Sequence, residues 1–205
     1  TSMNDVGSVV GYRSDVNTLR TVPLVSRHGG TWEALPLPAG HVGGFAMDVN
    51  DAGVVVGTVE QSTIDTRRAA RWIPTATGYT VEVLPLLPGE LRSLGMAIND
   101  AGQIVGARSG LFGSPNGFGW MYSDATGLVD LNATYGWFAT PPDINDAGVI
   151  LSGTQTLDLA TGTVFDVGAL DTTFGLIGGE AINDSGQIVG RSTSSGSLPT
   201  ARVHR

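Results

Sequence analysis

Apolar positions along the chain come in short runs, rich in Val, Ile and Thr, that are bounded by Gly, Asn, Asp or Pro. Four of these runs end in Val-Gly, and a fifth has a looser form; they end at Gly11, Gly57, Gly106, Gly153 and Gly190. Branched side chains at Cβ suit pleated strands, whereas Gly and Pro disfavour helix interiors. The pattern predicts an all-β chain made of short strands.

A polar Asn-Asp-x-Gly segment precedes each of these runs. Its Asn lies at positions 4, 50, 99, 145 and 183, so successive copies are 46, 49, 46 and 38 residues apart. Asn can bond a backbone N–H two residues on, and Gly at the fourth position accepts a positive φ. Each segment is therefore predicted to close a tight hairpin, with structural turn residues Asn4, Gly7, Asn50, Gly53, Asn99, Gly102, Asn145, Gly148, Asn183 and Gly186.

Two further strands are predicted in each unit. The third strands are expected at 21–26, 69–73, 117–122, 156–159 and 201–205, and the fourth strands at 31–35, 80–84, 128–131 and 163–170. Four short strands in a unit of about 45 residues are typical of a propeller blade. We therefore expect one domain, 1–205, that forms a β-propeller of about five four-stranded antiparallel blades with incomplete terminal blades. The approximate blades are 1–45, 46–95, 96–141, 142–179 and 180–205; a segment of a longer repeat array is the alternative.

Charge and composition exclude several partners. The net charge is −8, and all 11 basic residues are Arg. An acidic surface repels phosphate backbones, so nucleic-acid binding is not expected. No apolar run reaches the 18 residues typical of a membrane helix, so membrane insertion is not expected either. Without Cys there is no disulfide framework and no thiolate metal site.

One stretch resembles a known repeat family. Val164 to Leu170 forms an aspartate-leucine-glycine-like strand, and Gly178 to Gly190 reads Gly-Gly-Glu-Ala-Ile-Asn-Asp-Ser-Gly-Gln-Ile-Val-Gly. This is similar to the bacterial extracellular HAF repeat, whose units are propeller-like, and the likeness extends over all five units. The His-Ala-Phe signature is replaced by Arg68 to Trp72 and by Phe118 to Trp120. The resemblance implies a secreted or cell-surface bacterial domain with no assigned reaction.

Candidate binding residues lie on the loops opposite the Asn-Asp-x-Gly turns, because recognition commonly uses variable loops on a rigid scaffold. The run 132–138 holds three aromatic residues, which either face a ligand or fill the space between two blades. Trp32, Trp72 and Trp120 are predicted to pack between blades. The predicted ligand-binding residues are Arg13, His41, Arg108, Tyr135, Trp137, Phe138, Asp171 and Arg191.

The chemistry favours a binding module over an enzyme. The three His residues share no position in the repeat, and no catalytic residue, cofactor or metal site is predicted. The Asp residue after each repeated Asn suggests calcium, but a four-residue turn supplies too few oxygen ligands. We expect a non-enzymatic module that binds a carbohydrate, a peptide or a surface protein. The alternatives are a purely structural repeat segment, or a carbohydrate-active hydrolase with a carboxylate pair drawn from Asp15, Glu60, Asp65, Glu90 and Asp171.

Overall fold

The computed structural model describes residues 2–18, 20–61, 67–108, 118–137, 139–168, 177–192 and 200–204. Sheet 1 contains β1 (Ser2–Met3), β2 (Val9–Ser14), β3 (Thr21–Ser26) and β4 (Trp32–Ala34). Sheet 2 contains β5 (Gly43–Val49), β6 (Val55–Glu60), β7 (Arg68–Thr75) and β8 (Gly78–Val83). Sheet 3 contains β9 (Ser93–Ile98), β10 (Ile104–Arg108), β11 (Gly119–Ser123) and β12 (Gly127–Asp130).

The helix α1 (Leu131–Tyr135) separates sheet 3 from the remaining strands. Sheet 4 contains β13 (Asp143–Ile144), β14 (Val149–Ser152), β15 (Gln155–Asp158) and β16 (Val164–Asp166). Sheet 5 contains β17 (Ile177–Ile182), β18 (Ile188–Ser192) and β19 (Thr200–His204). In the described part of the chain, α1 is too short and too polar to cross a membrane.

Every sheet is antiparallel, with its strands in chain order. The all-β prediction is confirmed, and the predicted third and fourth strands coincide with observed strands to within a few residues. Because neighbours run antiparallel, the hairpins that join first to second strands and third to fourth strands lie at one end of each sheet. The connections from second to third strands lie at the other end, which we call the loop end.

The Asn-Asp-x-Gly segments form the hairpins between first and second strands, and we call them corners. In all five corners the Gly has a φ between 73° and 81°, and its N–H donates to the Asn carbonyl at 2.9–3.1 Å. The predicted turn and the need for Gly are therefore confirmed. The expected side-chain bond was wrong: the Asn Oδ1 accepts from the backbone N–H four residues on, at 2.7–2.9 Å, and so reaches across the whole corner.

The apolar core lies between consecutive sheets. Val10 and Val55 belong to a cluster shared by sheets 1 and 2, and similar clusters join sheets 2 and 3, sheets 3 and 4, and sheets 4 and 5. Trp72 and Trp120 are buried in these clusters, as predicted for packing between units. Trp32 does not pack in this way, because it lies on the outer strand β4 with 54% of its surface exposed. The first strands also contact one another in chain order, from β1 through β5, β9 and β13 to β17.

Candidate functional site

The corners are joined to one another by their Asn side chains. Asn4 Nδ2 donates to the carbonyl of Asn50, and the same bond recurs from Asn50 to Asn99, from Asn99 to Asn145 and from Asn145 to Asn183, at 2.7–3.1 Å. The first four of these Asn residues are no more than 7% exposed. Each of the first four Asn residues therefore shapes its own corner with its oxygen and ties it to the next corner with its nitrogen.

The Asp residues of the corners form a second set of links. Asp51 Oδ1 accepts from the backbone N–H of Asp5, and the pattern repeats for Asp100, Asp146 and Asp184 at 2.7–2.9 Å. Each carboxylate thus holds the corner of the preceding unit. Among the described residues, no group of three or more His, Asp or Glu side chains has an arrangement that could hold a metal ion. The repeated Asp is accounted for by these backbone bonds.

The corners surround a polar cavity of about 180 Å³, which Asp48 and Asp143 also line. Asp48 Oδ2 accepts from Ile98 N, and Asp143 Oδ2 accepts from Ile182 N, each at 2.8 Å. Burial raises the pKa of both carboxyls, that of Asp143 to about 6, and the charges of Asp48 and Asp184 add a smaller effect at Asp143. Both side chains therefore fasten one sheet to the next at the corner end.

The Val-Gly pairs predicted at the ends of apolar runs lie inside the second strands, and their Gly has a structural cause. A Cβ on Gly57 would collide with the carbonyl oxygen of Phe45, and one on Gly106 would collide with the carbonyl oxygen of Leu94 and with the Trp120 ring. Opposite these glycines the first strands carry a β-bulge, which leaves Met47 and Met96 without a paired residue. A bulge redirects the side chain that it inserts. The repeated Gly therefore permits the bulge, and the bulge orients the Met.

Met47 and Met96 line a second cavity of about 280 Å³, nearer the loop end. Both are partly exposed, as are Phe45 and Leu94 on the same two strands, whereas Ala46 and Ala97 point into the core. The complete lining is Tyr12, Phe45, Met47, Thr58, Arg67, Leu94, Gly95 and Met96. We call this cavity the methionine pocket; it is formed by β2 of sheet 1, β5 and β6 of sheet 2, and β9 of sheet 3.

The charges beside the methionine pocket are paired. Arg67 Nε lies 3.2 Å from Glu60 Oε2, and Glu60 Oε1 accepts from Thr21 Oγ1 at 3.2 Å. The Arg67 guanidinium also lies 5.3 Å from the centre of the Phe45 ring, which packs edge-to-face on Tyr12 at 4.9 Å. Ser93 N donates to the carbonyl of Arg67 and so holds this residue against sheet 3. The pocket is therefore mostly apolar, with one neutralised ion pair at its edge.

The predicted aromatic loop has a different structure from the one expected. Asp130 caps α1 by accepting from the backbone N–H groups of Asn132 and Ala133, and Gly136 ends the helix with a φ of 66°. Trp137 is only 2% exposed and packs between sheets 3 and 4, with Tyr135 partly buried against the same cluster. Of the two interpretations of Trp137, a ligand contact or a ring that fills the space between two units, the structure supports the second, since the turn after α1 directs the ring inwards. Phe138 lies outside the described residues.

The predicted arginines are held within separate sheets. Arg108 lies 3.1 Å from Asp130 and 3.7 Å from Glu90, and its guanidinium stacks 4.2 Å from the centre of the Phe118 ring. Through Asp130 this arginine is linked to α1, and so to Tyr135 and Trp137. Arg191 pairs with Glu180 within sheet 5, and Arg13 is exposed on β2.

His41 lies in the connection between β4 and β5, and is partly buried. Its Nδ1 is 3.3 Å from the Ala39 carbonyl, and its Nε2 is buried without a hydrogen-bond partner. Asp171 lies outside the described residues. None of the predicted ligand-binding residues that the structure describes belongs to the lining of the methionine pocket.

Sequence reasoning missed Met47, Met96 and Phe45. The sequence did contain a signal. The residue three positions before the corner Asn is Met47 in the second unit, Met96 in the third and Glu180 in the last, whereas the residues around it are similar in these units. A position that varies inside an otherwise constant repeat indicates a role other than scaffold.

Among the carboxylates proposed for a hydrolase, the three that the structure describes are Asp15, Glu60 and Glu90, and each has a partner of its own. Glu60 is paired with Arg67, and Glu90 lies beside Arg108. The pKa of Asp15 is lowered because its carboxylate accepts from the backbone N–H groups of Asn17 and Thr18. Asp65 lies outside the described residues. In the described part of the chain, the carboxyls with a raised pKa are Asp48 and Asp143, at the corner end.

Comparison with known proteins gives no relative: no family model matches the chain, and no curated protein is significantly similar to it.

Proposed function

We propose that the chain is a non-enzymatic, secreted or cell-surface β-propeller module of the HAF repeat kind. It binds a carbohydrate, a peptide or a surface protein through its loop end. The propeller arrangement is supported by antiparallel sheets that follow in chain order, with apolar cores between successive sheets. The ordered contacts between first strands and the cavity surrounded by all five corners also favour it. The localisation rests on the HAF resemblance.

The methionine pocket carries the proposal of binding. It is a concave, mostly apolar surface with a few polar groups at its edge, which is the usual character of a ligand site. It opens among partly exposed Phe45, Met47, Leu94 and Met96, whereas Ala46 and Ala97 on the same two strands are buried. The corner end differs, because its polar groups bond to one another and to the backbone. The loop end is therefore the better candidate for a partner.

The proposal is tested by screening the purified chain in parallel against a glycan array and a phage-displayed peptide library. A ligand recovered in this way is expected to lose at least about tenfold in affinity on Phe45→Ser, since an aromatic contact at an interface contributes at least 1.4 kcal/mol. The control is Asp5→Ser, an exposed residue of the first corner, which should leave binding unchanged. Equal affinity of the parent protein, Phe45→Ser and Asp5→Ser for the ligand would contradict the placement of the site. A screen that recovers no ligand would contradict the proposed function.

A second candidate function, glycoside hydrolysis, draws on Asp48 and Asp143, because both line one cavity and one has a pKa of about 6. Hydrolysis needs one carboxyl that is protonated and another that is free to act as a base or nucleophile. Here both carboxyls accept backbone N–H groups from a neighbouring sheet, so their environments are alike. Activity on chromogenic glycosides that disappears in Asp143→Asn would favour this function over binding.

A further inference from the structure

The methionine pocket has features that narrow the class of its ligand. We propose that it receives one apolar side chain that is either aromatic or unbranched at Cβ, such as Met, Leu or Phe, from a basic peptide segment of a partner protein. The bulged position of the repeat, occupied by Met47 and Met96, selects that side chain. This inference rests on the proposed function, since it names the partner of the same site.

Size is the first argument. A cavity of about 280 Å³ is at the lower limit of the roughly 300–1,000 Å³ that small-molecule sites usually occupy. It accommodates a large side chain but not a chain of sugar rings. A single side chain buried in such a cavity contributes to affinity when the rest of its peptide makes further contacts outside the cavity.

The lining chemistry is the second argument. Its polar side-chain groups are the Tyr12 hydroxyl, the Thr58 hydroxyl and the Arg67 guanidinium, and Arg67 is already paired with Glu60. A sugar ring would bring more hydroxyls than these groups can satisfy, and an unsatisfied buried hydroxyl opposes binding. An apolar side chain makes no such demand. Thioethers adapt to the shape of an apolar partner and contact aromatic rings favourably.

The bulge gives the third argument, because it identifies which residues choose the ligand. Met47 and Met96 occupy the same unpaired position in sheets 2 and 3, and Glu180 occupies it in sheet 5. The backbone at this position is fixed by Gly57, Gly106 and Gly190, whose missing Cβ atoms admit the bulge. The fold therefore tolerates either Met or Glu there. In sheets 2 and 3 this position presents a thioether to the methionine pocket, whereas in sheet 5 it carries a carboxylate paired with Arg191.

Charge supplies the fourth argument and favours a basic partner. The chain carries a net charge of −8, whereas the ion pair beside the pocket is neutral. Long-range attraction thus draws a positively charged segment towards the protein. The neutral pocket then accepts the uncharged anchor side chain of that segment.

The test uses fluorescein-labelled synthetic peptides chosen from the phage library, each with one apolar residue in an Arg- and Lys-rich background. Replacing that residue by Ser is expected to weaken binding by about tenfold or more, as is Met96→Glu in the protein. Met96→Leu should retain binding, because it preserves the apolar lining. Glu180→Met is the matched control at the equivalent bulge and should leave affinity unchanged. Circular dichroism checks that each variant is folded, and Met47→Gln replaces Met96→Glu if the latter does not fold.

The outcomes separate this inference from the proposed function. Loss of binding with both the Ser peptide and the Met96→Glu protein supports the inference. Peptide binding whose affinity is unchanged by both substitutions would overturn the inference. So would a glycan whose binding depends on Phe45, and that result would leave the proposed function standing. An absence of binding by every glycan and every peptide would remove both.

Discussion

The Asn side chains that link one corner to the next should be a major source of stability, and Asn99 is the best position at which to measure it. This residue is 3% exposed, and its Nδ2 donates to the Asn145 carbonyl at 2.9 Å while its Oδ1 accepts from Gln103 N at 2.9 Å. Asn99→Ala removes these two bonds and a third, from Nδ2 to the Gln103 Oε1 at 2.8 Å. The Asn145 carbonyl still accepts from Gly148 N, so losing the bond from Asn99 costs about 1 kcal/mol of stability, the contribution of one neutral hydrogen bond.

The N–H of Gln103 loses its acceptor, and an unsatisfied N–H costs roughly 1–3 kcal/mol. The free energy of unfolding should therefore fall by about 2–4 kcal/mol, which lowers the Tm by roughly 5–15 °C for a domain of this size. The assay is urea unfolding followed by tryptophan fluorescence, with an unchanged m-value as the check that only stability has altered.

Asn183→Ala is the matched control. Asn183 makes the same bonds to Gln187 within its corner, but it is exposed, so water replaces what the mutation removes. Its loss should stay below about 1 kcal/mol. If Asn99→Ala and Asn183→Ala are equally stable to within about 0.5 kcal/mol, the links between corners contribute nothing measurable and the reasoning is refuted.

Three further predictions follow from the packing and the buried acids. Gly106→Ala should destabilise the fold by about 1–3 kcal/mol in urea unfolding, or prevent folding, because its Cβ would collide with Leu94 and Trp120. The control Gly178→Ala has open space around its Cβ, so its free energy of unfolding should stay within about 1 kcal/mol of the parent. Trp137→Ala should cost about 3–5 kcal/mol in the same assay without altering ligand affinity per folded molecule; a selective loss of affinity would place this ring in the site after all. The folded state raises the pKa of Asp143 from near 4 to about 6, so the stability that its protonated form contributes is complete below pH 4 and is lost as the pH rises through 6. Asp143→Asn should abolish up to about 3 kcal/mol of this decline in thermal unfolding between pH 4 and pH 7, and an unchanged pH profile would contradict the assignment.

Local chemistry determined which parts of this fold could be predicted from the sequence. The corners were predictable because a positive φ at Gly102 and its equivalents is a property of four adjacent residues. The strands were predictable for the same reason, because their residue composition and the corners that bound them are local features of the sequence. The roles of Asp51 and Asp100 were not predictable, because each carboxylate serves a backbone group nearly fifty residues earlier.

The candidate site was harder to predict than the fold. Its lining comes from three sheets, and Met47 and Met96 reach it only because a bulge redirects them, which pattern analysis does not reveal. The aromatic run 132–138 was a misleading indicator of the binding site for a similar reason. A helical turn capped by Asp130 directs Trp137 into the core, and only the position of Asp130 at the end of β12 fixes that turn.

The links between corners have an evolutionary consequence. Four of the five corner Asn amides donate to a main-chain carbonyl of the next unit. Four of the five corner Asp carboxylates accept from a main-chain N–H of the preceding unit. A unit copied by gene duplication would therefore keep its corner links to a new neighbour, because these links need no compensating substitutions in that neighbour's side chains. Recombination could then lengthen or shorten such proteins in whole modules, while the exposed connections diversify independently under selection.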